Sequence, residues 1–211
     1  MARRGGLRER KKLQTREAIA NAAWRLFKER GFDDVTVAEV AEATDVSEAT
    51  VFNYFPTKED LVFHRMEDFE EEMLEAIRQR EPGTTVVEAF GSFVLEPRGF
   101  LKGGEGPRED PRAVTKVFTD SPALLARERQ IFDRYAEQLI DLIAKERRAR
   151  PDDLEPLVIA RALTSLHRAL IDHVRKRVLA GASTDVIARE IRTRGRRAVA
   201  LIREGLDHRS S

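Results

Sequence analysis

One short stretch, Ser47 to Asp60, holds the side chains best suited to recognise another molecule, and it reads "SEATVFNYFPTKED". Small or polar residues begin it and an aromatic group follows. Pro56 then prevents the helix from continuing, because the residue before a proline avoids helical geometry. The side chains of Thr50, Asn53 and Tyr54 end in groups that form hydrogen bonds. The chemistry available to this element is therefore hydrogen bonding from a short, closely approaching helix.

The residues around its start complete the pattern of two helices joined by a tight turn. Ala41 is small enough for a second helix to cross it closely, and Asp45 tolerates left-handed turn geometry. Val46 and Val51 are apolar anchors below the turn, and Phe55 is predicted to face inward with Val51. This order of residues is typical of a helix-turn-helix. In that motif the second helix enters the DNA major groove, about 12 Å wide, and its first residues meet the base edges.

Positive charge is concentrated on either side of the motif. The segment up to Arg16 carries seven basic residues against one acid, a local charge of +6 in a chain of net charge +1. This segment is either a solvated tail or an arm that binds DNA phosphates. Lys58 stands at the start of the next predicted helix, where backbone amides already favour a phosphate. We therefore divide the chain into a basic arm at 1–12, a DNA-binding domain at 13–60 and a C-terminal domain at 61–211.

Apolar residues recur at helical spacing through most of the chain, which predicts an all-α fold. Capping residues, glycines and prolines give the expected ends. The predicted helices run from Thr15 to Gly31, Thr36 to Thr44, Ser47 to Phe55, Thr57 to Pro82, Thr84 to Leu95, Pro111 to Thr119, Pro122 to Arg148, Leu154 to Leu179 and Thr184 to Leu206. The glycine- and proline-rich segment Glu96–Pro111 is predicted to be a mobile loop. Phe27, Phe52 and Phe55 are predicted to form the core of the N-terminal helices.

The composition argues against several classes of protein. There is no cysteine, so neither a disulfide nor a thiolate metal site can be predicted. The four histidines, His64, His167, His173 and His208, lack ligand spacing, so no metal or other cofactor is predicted. Neither a signal peptide nor a run of about 20 apolar residues is visible, which favours a cytoplasmic protein. No nucleophile motif is present, so an enzyme is the weaker interpretation.

The stretch "TREAIANAAWRLFKERGFDDVTVAEVAEATDVSEATVFNYFPTKEDLV", Thr15–Val62, resembles the DNA-binding domain of the tetracycline-repressor (TetR) family of bacterial transcription regulators. The matching features are "LFKERGF", "VTVAEVAEATDVSEATVFNYF" and "KEDL". The resemblance implies an all-helical homodimer of about nine helices per subunit. Three of these helices form the DNA-binding head, and the last two form a four-helix interface between subunits. It also implies repression of a nearby promoter, released when a small molecule enters the C-terminal domain.

The resemblance also implies which residues contact DNA. The family's recognition helix falls on Ser47, Glu48, Ala49, Thr50, Asn53 and Tyr54, its phosphate contacts fall on Thr36, Tyr54 and Lys58, and Arg16 belongs to the basic segment. Two positions depart from the family pattern: Phe52 stands where many members have tyrosine, and Asp45 replaces a frequent turn glycine. Glu48 either accepts a hydrogen bond from a cytosine amino group or stabilises the helix start.

The last two predicted helices carry an apolar face suited to pairing with a second copy of the chain. A glycine inside a helix costs about 1 kcal/mol relative to alanine, and close contact with another helix is a reason to accept Gly195. The predicted dimer interface comprises Leu170, Val174, Ile191, Gly195, Ala198 and Ile202. The alternative is that these residues cover the chain's own core. A dimer also fits the mechanism, because two helix-turn-helix units bind a palindrome.

Aromatic and aliphatic residues of the middle helices form a predicted pocket for a small apolar or aromatic effector. They are Phe69, Met73, Phe90, Phe93, Phe118, Phe132, Tyr135, Leu139, Leu166 and His167. Tyr135 and His167 are the predicted polar contacts, and plain core packing is the alternative for each residue. Effector binding would favour a spacing of the two heads that no longer matches successive major grooves, with the fourth helix transmitting the change. A dimeric DNA-binding regulator without an effector is the alternative function.

Overall fold

Nine α-helices make up the part of the chain that the computed structural model describes, residues 3–102 and 110–207, and no strand occurs in those ranges. The helices are α1 (Arg3–Arg30), α2 (Val37–Glu42), α3 (Glu48–Tyr54), α4 (Asp60–Arg78), α5 (Val86–Leu95), α6 (Pro111–Thr119), α7 (Pro122–Arg147), α8 (Glu155–Leu179) and α9 (Thr184–Asp207). The predicted all-α fold is confirmed. No helix in those ranges combines the length and the apolar character that a membrane span requires.

Two compact units share these helices. The first comprises the chain up to Asp68 together with Lys116–Arg127, and the second comprises Phe69–Thr115 and the chain from Glu128 onwards. Helices α4, α6 and α7 each contribute residues to both units. The N-terminal unit therefore includes a segment from the middle of the chain.

The N-terminal unit has an apolar core of its own, with fully buried side chains at Ile19, Ala23, Phe27, Val40, Val51, Phe55 and Leu61. The prediction that Val51 and Phe55 face inward is confirmed. The prediction that Phe52 joins this core is wrong, because its side chain is 45% exposed. Successive residues of a helix point about 100° apart, so burying Val51 turns Phe52 away from the core.

Local capping interactions define the ends of α2 and α3. The Thr36 hydroxyl accepts the Glu39 backbone N–H (3.2 Å), and the Glu39 carboxylate accepts the Thr36 backbone N–H (2.7 Å), which forms a capping box. Ser47 caps α3, since its hydroxyl accepts the Thr50 backbone N–H (3.1 Å). Asp45 lies between the helices with φ 52°, the left-handed geometry that an aspartate tolerates.

Helix α1 begins at Arg3, well before Thr15, where apolar periodicity places its start. The segment predicted as a basic arm at 1–12 is therefore helical from Arg3 onwards. Periodicity detects only the part of a helix that is buried, and Leu13 is 57% exposed. Arginine, lysine, glutamate and leucine favour a helix even without burial, which accounts for the longer helix.

The segment around Phe118 completes the N-terminal unit. The Phe118 ring lies 6.0 Å from the Trp24 ring and 5.7 Å from the Phe63 ring, measured between centroids. The Ser121 hydroxyl donates a hydrogen bond of 2.8 Å to the Asp33 carboxylate. These contacts assign Phe118 to the N-terminal unit, and its place in the predicted pocket stays a prediction. Apolar periodicity on α6 did not reveal which of the two cores this side chain joins.

The second unit has two apolar clusters. One is formed by residues of α4, α5, α7 and α8, among them Met73, Phe90, Phe132, Tyr135, Leu139 and Leu163. The other is formed by residues of α5, α8 and α9, namely Leu95, Leu166, Leu170, Val178, Ile187 and Ile191. Phe100 and Leu101, from the 3-10 turn Gly99–Leu101 within the predicted loop, pack against the second cluster. Residues 103–109 of that loop lie outside the described residues.

Helices α5 and α9 approach each other closely at two glycines. A Cβ atom at Gly91 would lie 2.8 Å from the Val199 methyl groups, and one at Gly195 would lie 2.1 Å from Leu95 Cδ2. Both distances are shorter than carbon atoms tolerate, so a side chain at either position would force Leu95 or Val199 to shift. The close helix contact inferred from Gly195 exists, and it lies within one chain.

Part of the face predicted to pair with a second copy of the chain is buried within the chain itself. The described side chains of Leu170 and Ile191 belong to the second cluster, and Val174, Ala198 and Ile202 pack against it. Gly195 is buried against Leu95. Leu170, Ile191 and Gly195 therefore cover the chain's own core. Val174, Ala198 and Ile202 are half-buried, and their contact with a second copy stays a prediction. Helical spacing marks an apolar face without showing what covers it.

The close crossing leads to a stability prediction. Replacing Gly195 with alanine should lower the free energy of unfolding by about 1 kcal/mol, because overpacking outweighs the gain in helix propensity. Gly205 is the matched control, since it lies on the same helix and an added Cβ would meet no atom within 4 Å. Replacing Gly205 with alanine should instead raise the free energy of unfolding by about 0.5–1 kcal/mol. Chemical denaturation measures both, and equal stabilisation would contradict the close crossing.

Candidate functional site

The outward surface of α3 carries most of the residues predicted to contact DNA. Ser47, Glu48, Ala49 and Asn53 are exposed, while Thr50 and Tyr54 are half-buried. The exposed Phe52 lies on the same short helix and was not among the predicted contacts. Its position beside the buried Val51 is a signal of exposure, because the next residue on a helix points about 100° away. The helix thus presents small, polar, acidic and aromatic side chains together.

Hydrogen bonds at the start of α3 restrict two of these side chains. The Ser47 hydroxyl accepts the Thr50 backbone N–H and lies 2.9 Å from the Thr50 hydroxyl. Ser47 is therefore engaged in capping, and the Thr50 hydroxyl is held within the first turn. Asn53 and Phe52 lie further along the exposed surface.

Lys58 is held on the N-terminal unit by its own neighbours. Its Nζ atom donates to the Asp33 backbone carbonyl at 3.5 Å and lies 4.3 Å from the centroid of the Phe32 ring. Partial burial lowers the pKa of the Lys58 ammonium, while the nearby carboxylate of Asp33 acts in the opposite direction. These contacts hold a positive charge close to the start of α4.

The hydroxyl of Thr36, another predicted phosphate contact, is engaged in a hydrogen bond within the N-terminal unit. It donates to a Glu39 carboxylate oxygen at 2.9 Å, and Arg30 pairs with the same carboxylate group at 2.6 Å. The hydrogen bond from the Thr36 backbone, followed by that from Arg30, lowers the pKa of Glu39 to about 2. Arg16, by contrast, has its guanidinium 5.4 Å from the Phe55 ring, beside the buried side of α3.

The match to known proteins begins with this N-terminal unit. The sequence pattern of the bacterial regulatory proteins of the tetR family matches residues 19–64, which include α2, the turn at Asp45 and α3. The N-terminal unit carries the DNA-binding domain of the TetR family of transcriptional regulators. The capped helices and the buried Val51 and Phe55 are the physical basis of that match.

Similarity to curated proteins extends beyond the N-terminal unit. It is 27% identical over 169 residues to the HTH-type transcriptional regulator TcmR of Streptomyces glaucescens, covering 78% of this chain and 75% of that protein. It is 28% identical over 150 residues to the nucleoid occlusion factor SlmA of Pasteurella multocida, covering 67% of this chain and 72% of that protein. Both relatives therefore align with part of the C-terminal unit as well.

A solved structure shares the fold of the regulator. NalD, described as the secondary repressor of the MexAB-OprM multidrug efflux pump in Pseudomonas aeruginosa, superimposes with a TM-score of 0.56 at 20% identity. The match covers 88% of this chain and 96% of that chain. At this level of identity the comparison supports the helical architecture alone.

A second candidate site lies in the C-terminal unit, where an aromatic cluster surrounds His167. The imidazole ring lies 5.2 Å from the ring of Phe69, 5.2 Å from Phe132, 6.2 Å from Tyr135 and 6.4 Å from Phe90, all between centroids. Phe69 is also 5.2 Å from Phe93. We call Phe69, Phe90, Phe93, Phe132, Tyr135 and His167 the aromatic cluster. It contains the two residues predicted as polar contacts.

Two buried polar atoms of the aromatic cluster have no hydrogen-bond partner among the described residues. They are the hydroxyl oxygen of Tyr135 and Nδ1 of His167. Tyr135 is 3% exposed and His167 is 9% exposed. Leaving a buried polar group unsatisfied costs about 1–3 kcal/mol, and most buried polar groups in proteins are paired. This cluster therefore holds two buried hydrogen-bonding groups that its described neighbours leave unsatisfied.

The remaining predicted pocket residues have ordinary packing roles. Met73 and Leu139 are fully buried in the cluster that contains Phe90, and Leu166 belongs to the cluster that contains Leu95. An open cavity of about 500 Å³ lies elsewhere in the same unit, and none of the predicted pocket residues lines it. Its lining includes Arg80, Glu146 and Arg203. Arg80 forms two hydrogen bonds to Glu146, of 2.9 and 2.7 Å, so these charges already neutralise each other.

Burial of His167 leads to a prediction about acid stability. Burial, assisted by the charge of Arg98, lowers the pKa of His167 from 6.5 to about 4. The unfolded chain therefore binds a proton that the folded chain does not bind between pH 6.5 and 4, so stability falls as the pH falls through that window. The loss from this residue is on the order of 3 kcal/mol.

Replacing His167 with phenylalanine should reduce the dependence of unfolding free energy on pH in this window, since the ring remains but cannot titrate. Replacing Tyr135 with phenylalanine is the matched control, because it changes the same cluster without adding or removing a group that titrates there. Denaturation at a series of pH values measures the slopes. Parallel curves for the wild type and the His167 variant would show that this imidazole is not responsible.

Proposed function

We propose that this regulator binds a palindromic DNA site as a homodimer through α3 and represses transcription until an aromatic effector releases it. The observation that carries the DNA-binding role is the exposed face of α3, with the Lys58 ammonium fixed near the start of α4. A helix that presents small side chains can approach base edges in the major groove. The repressor role is the one that the family resemblance implies, and the curated relative TcmR is a transcriptional regulator.

The specificity of the proposed contact resides on α3. Asn53 offers the amide that pairs with adenine, and Phe52 offers an apolar surface that suits a thymine methyl group. Glu48 either accepts from a cytosine amino group or interacts favourably with the helix start. Ala49 has a small side chain and so lets the helix approach the base edges closely. Thr50 contributes its methyl group or its hydroxyl.

Phosphate contacts position α3 without reading the sequence. Lys58, Arg16 and the half-buried Tyr54 are the side chains we assign to this role, together with the basic part of α1. Thr36 contributes through the capping box that holds α2, since its hydroxyl is engaged with Glu39. The phosphate contacts supply the part of the affinity that depends on salt.

The homodimer is expected to use exposed apolar side chains that lie outside the face predicted from the sequence. Large apolar side chains remain exposed on the last two helices, with Leu157 at 39%, Val158 at 58% and Leu201 at 65% exposure. Helices α8 and α9 pack against each other, so a second copy that covered both would bury these side chains. Two heads held in this way match the two half-sites of a palindrome.

Effector release is assigned to the aromatic cluster. Phe69 belongs to the cluster and lies on α4, the helix that also contains Asp60 of the N-terminal unit. A ligand that binds one arrangement of α4 more tightly shifts the population of regulators towards it. Release of DNA then requires only that this arrangement gives a head spacing that mismatches successive major grooves.

DNA binding without an effector is the second candidate function. The match to the nucleoid occlusion factor SlmA over 150 residues favours it, because that name describes a role other than transcriptional regulation. The two candidates share the head and the dimer. They differ in whether a ligand of the aromatic cluster changes DNA affinity.

Selection of bound fragments from random duplexes tests the DNA-binding proposal. The purified full-length protein should enrich palindromes whose half-site centres lie about one helical turn, 34–36 Å, or a multiple of it apart. Light scattering of the same sample should give the mass of two chains.

Replacing Val158 with glutamate should give monomers with weaker affinity for the palindrome. Enrichment of no sequence at physiological ionic strength would refute the proposal.

Single substitutions in the head should separate phosphate contacts from base contacts. Replacing Lys58 with alanine should weaken binding to selected and random duplexes alike and flatten the salt dependence by about one phosphate. Replacing the exposed Phe52 with alanine should weaken binding to the selected duplex by more than binding to random DNA. Lys145, exposed on α7, is the matched control, and its replacement with alanine should leave the salt slope unchanged. Fluorescence anisotropy at several salt concentrations measures the slopes, and a slope unchanged by the Lys58 substitution would contradict its assigned contact.

A further inference from the structure

The aromatic cluster has a polar side that the proposed function does not explain. The Tyr135 hydroxyl and His167 Nδ1 are buried without partners among the described residues, and both residues sit among phenylalanine rings. A site that bound only hydrocarbon would gain nothing from these two atoms. Their complement is therefore a ligand group that can both donate and accept a hydrogen bond.

We infer that the ligand of this site is an uncharged aromatic compound with a hydroxyl group on the ring, which donates to His167 Nδ1 and accepts from the Tyr135 hydroxyl. This inference rests on the proposed function, since it specifies the effector of the same site. A neutral imidazole that carries its proton on Nε2 leaves Nδ1 as an acceptor. A hydroxyl group both donates and accepts, so one that contacts both atoms would satisfy each of them.

The rings of the cluster account for the aromatic part of the ligand. Phe69 stacks on the His167 ring with an interplanar angle of 29°, whereas Phe132 and Tyr135 meet it edge-on at 67° and 89°. Faces and edges of rings are therefore both presented around the imidazole. A further ring can adopt the offset or edge-to-face contacts that aromatic groups prefer.

The charges around the cluster argue against a cationic ligand. The Arg98 guanidinium lies 5.4 Å from the Phe69 ring and 4.0 Å from the Phe93 ring, and Arg168 lies 5.7 Å from the Phe132 ring. These cations occupy the positions in which an ammonium group would interact with the rings.

The nearby carboxylates are already paired. Glu70 accepts from Arg134 at 3.1 Å, and Glu72 accepts from Arg98 at 3.1 Å. Neither carboxylate is therefore available to neutralise a cationic ligand. The positive charge of Arg98 also helps to keep the His167 imidazole neutral by lowering its pKa.

Calorimetric titration of the full-length protein with three probes of similar size tests the inference. The probes are 2-naphthol, naphthalene and 2-naphthylmethylamine, which is a cation at neutral pH. The expected order of affinity is 2-naphthol, then naphthalene, then the amine, with at least about a tenfold preference for the hydroxyl compound over naphthalene. Equal binding of 2-naphthol and naphthalene, tightest binding of the amine, or no binding of any probe would overturn the inference.

Two substitutions assign the preference to the unpaired atoms. Replacing Tyr135 or His167 with phenylalanine should weaken 2-naphthol binding about tenfold and leave naphthalene binding nearly unchanged. The empty Tyr135 variant should also unfold at a higher temperature than the wild type, because it no longer buries an unpaired hydroxyl. A Tyr135 variant that binds 2-naphthol as tightly as the wild type would contradict the assignment.

The chain's other tyrosine supplies the matched control. Tyr54 lies on α3, and its replacement with phenylalanine removes the same hydroxyl group from the other unit. This variant should bind 2-naphthol like the wild type. If 2-naphthol binds as expected but leaves the DNA complex intact, the effector role in the proposed function fails while the ligand class stands.

Discussion

The orientation of α3 depends on burying Val51 and Phe55 in the core of the N-terminal unit. Both side chains are about 1% exposed, and each is worth about 1.5–3 kcal/mol when removed from water. Their burial determines which residues face outward, because a helix of seven residues has little other means of resisting rotation about its axis. The Ser47 cap and the left-handed turn at Asp45 determine where this helix begins. The burial of Val51 and Phe55 therefore determines which side chains of α3 are exposed for DNA contact.

Much of the N-terminal unit could be predicted from the sequence because its signals are local. A threonine or serine followed three residues later by a suitable partner marks a cap, and Pro56 marks an end. These interactions form between residues close in the chain, so no knowledge of tertiary structure is required. Phe52 is the exception among these local predictions. Its aromatic side chain predicts a core position, whereas its angular position on the helix, about 100° from the buried Val51, predicts exposure.

The C-terminal unit was less predictable because its contacts join distant parts of the chain. The apolar spacing on α9 correctly predicts a buried helix face. It does not show that Leu95 of α5, rather than a second copy of the chain, covers Gly195. The same limit applies to Phe118, whose neighbours Trp24 and Phe63 are far away in sequence. Residue type alone predicts Tyr135 and His167 as the polar groups among the aromatic residues. Only the structure shows that the Tyr135 hydroxyl and His167 Nδ1 lack hydrogen-bond partners among the described residues.

The position of Phe118 has a consequence for modularity. A fragment that stops after the pattern matched at residues 19–64 would lose Phe118 and the fully buried Leu124, and would expose the rings of Trp24 and Phe63 to water. The N-terminal unit is compact in space, although its residues come from two separate stretches of the chain. Chimeras that graft this head onto another regulator would therefore need the Lys116–Arg127 segment, or a hydrophobic substitute for it, to remain folded.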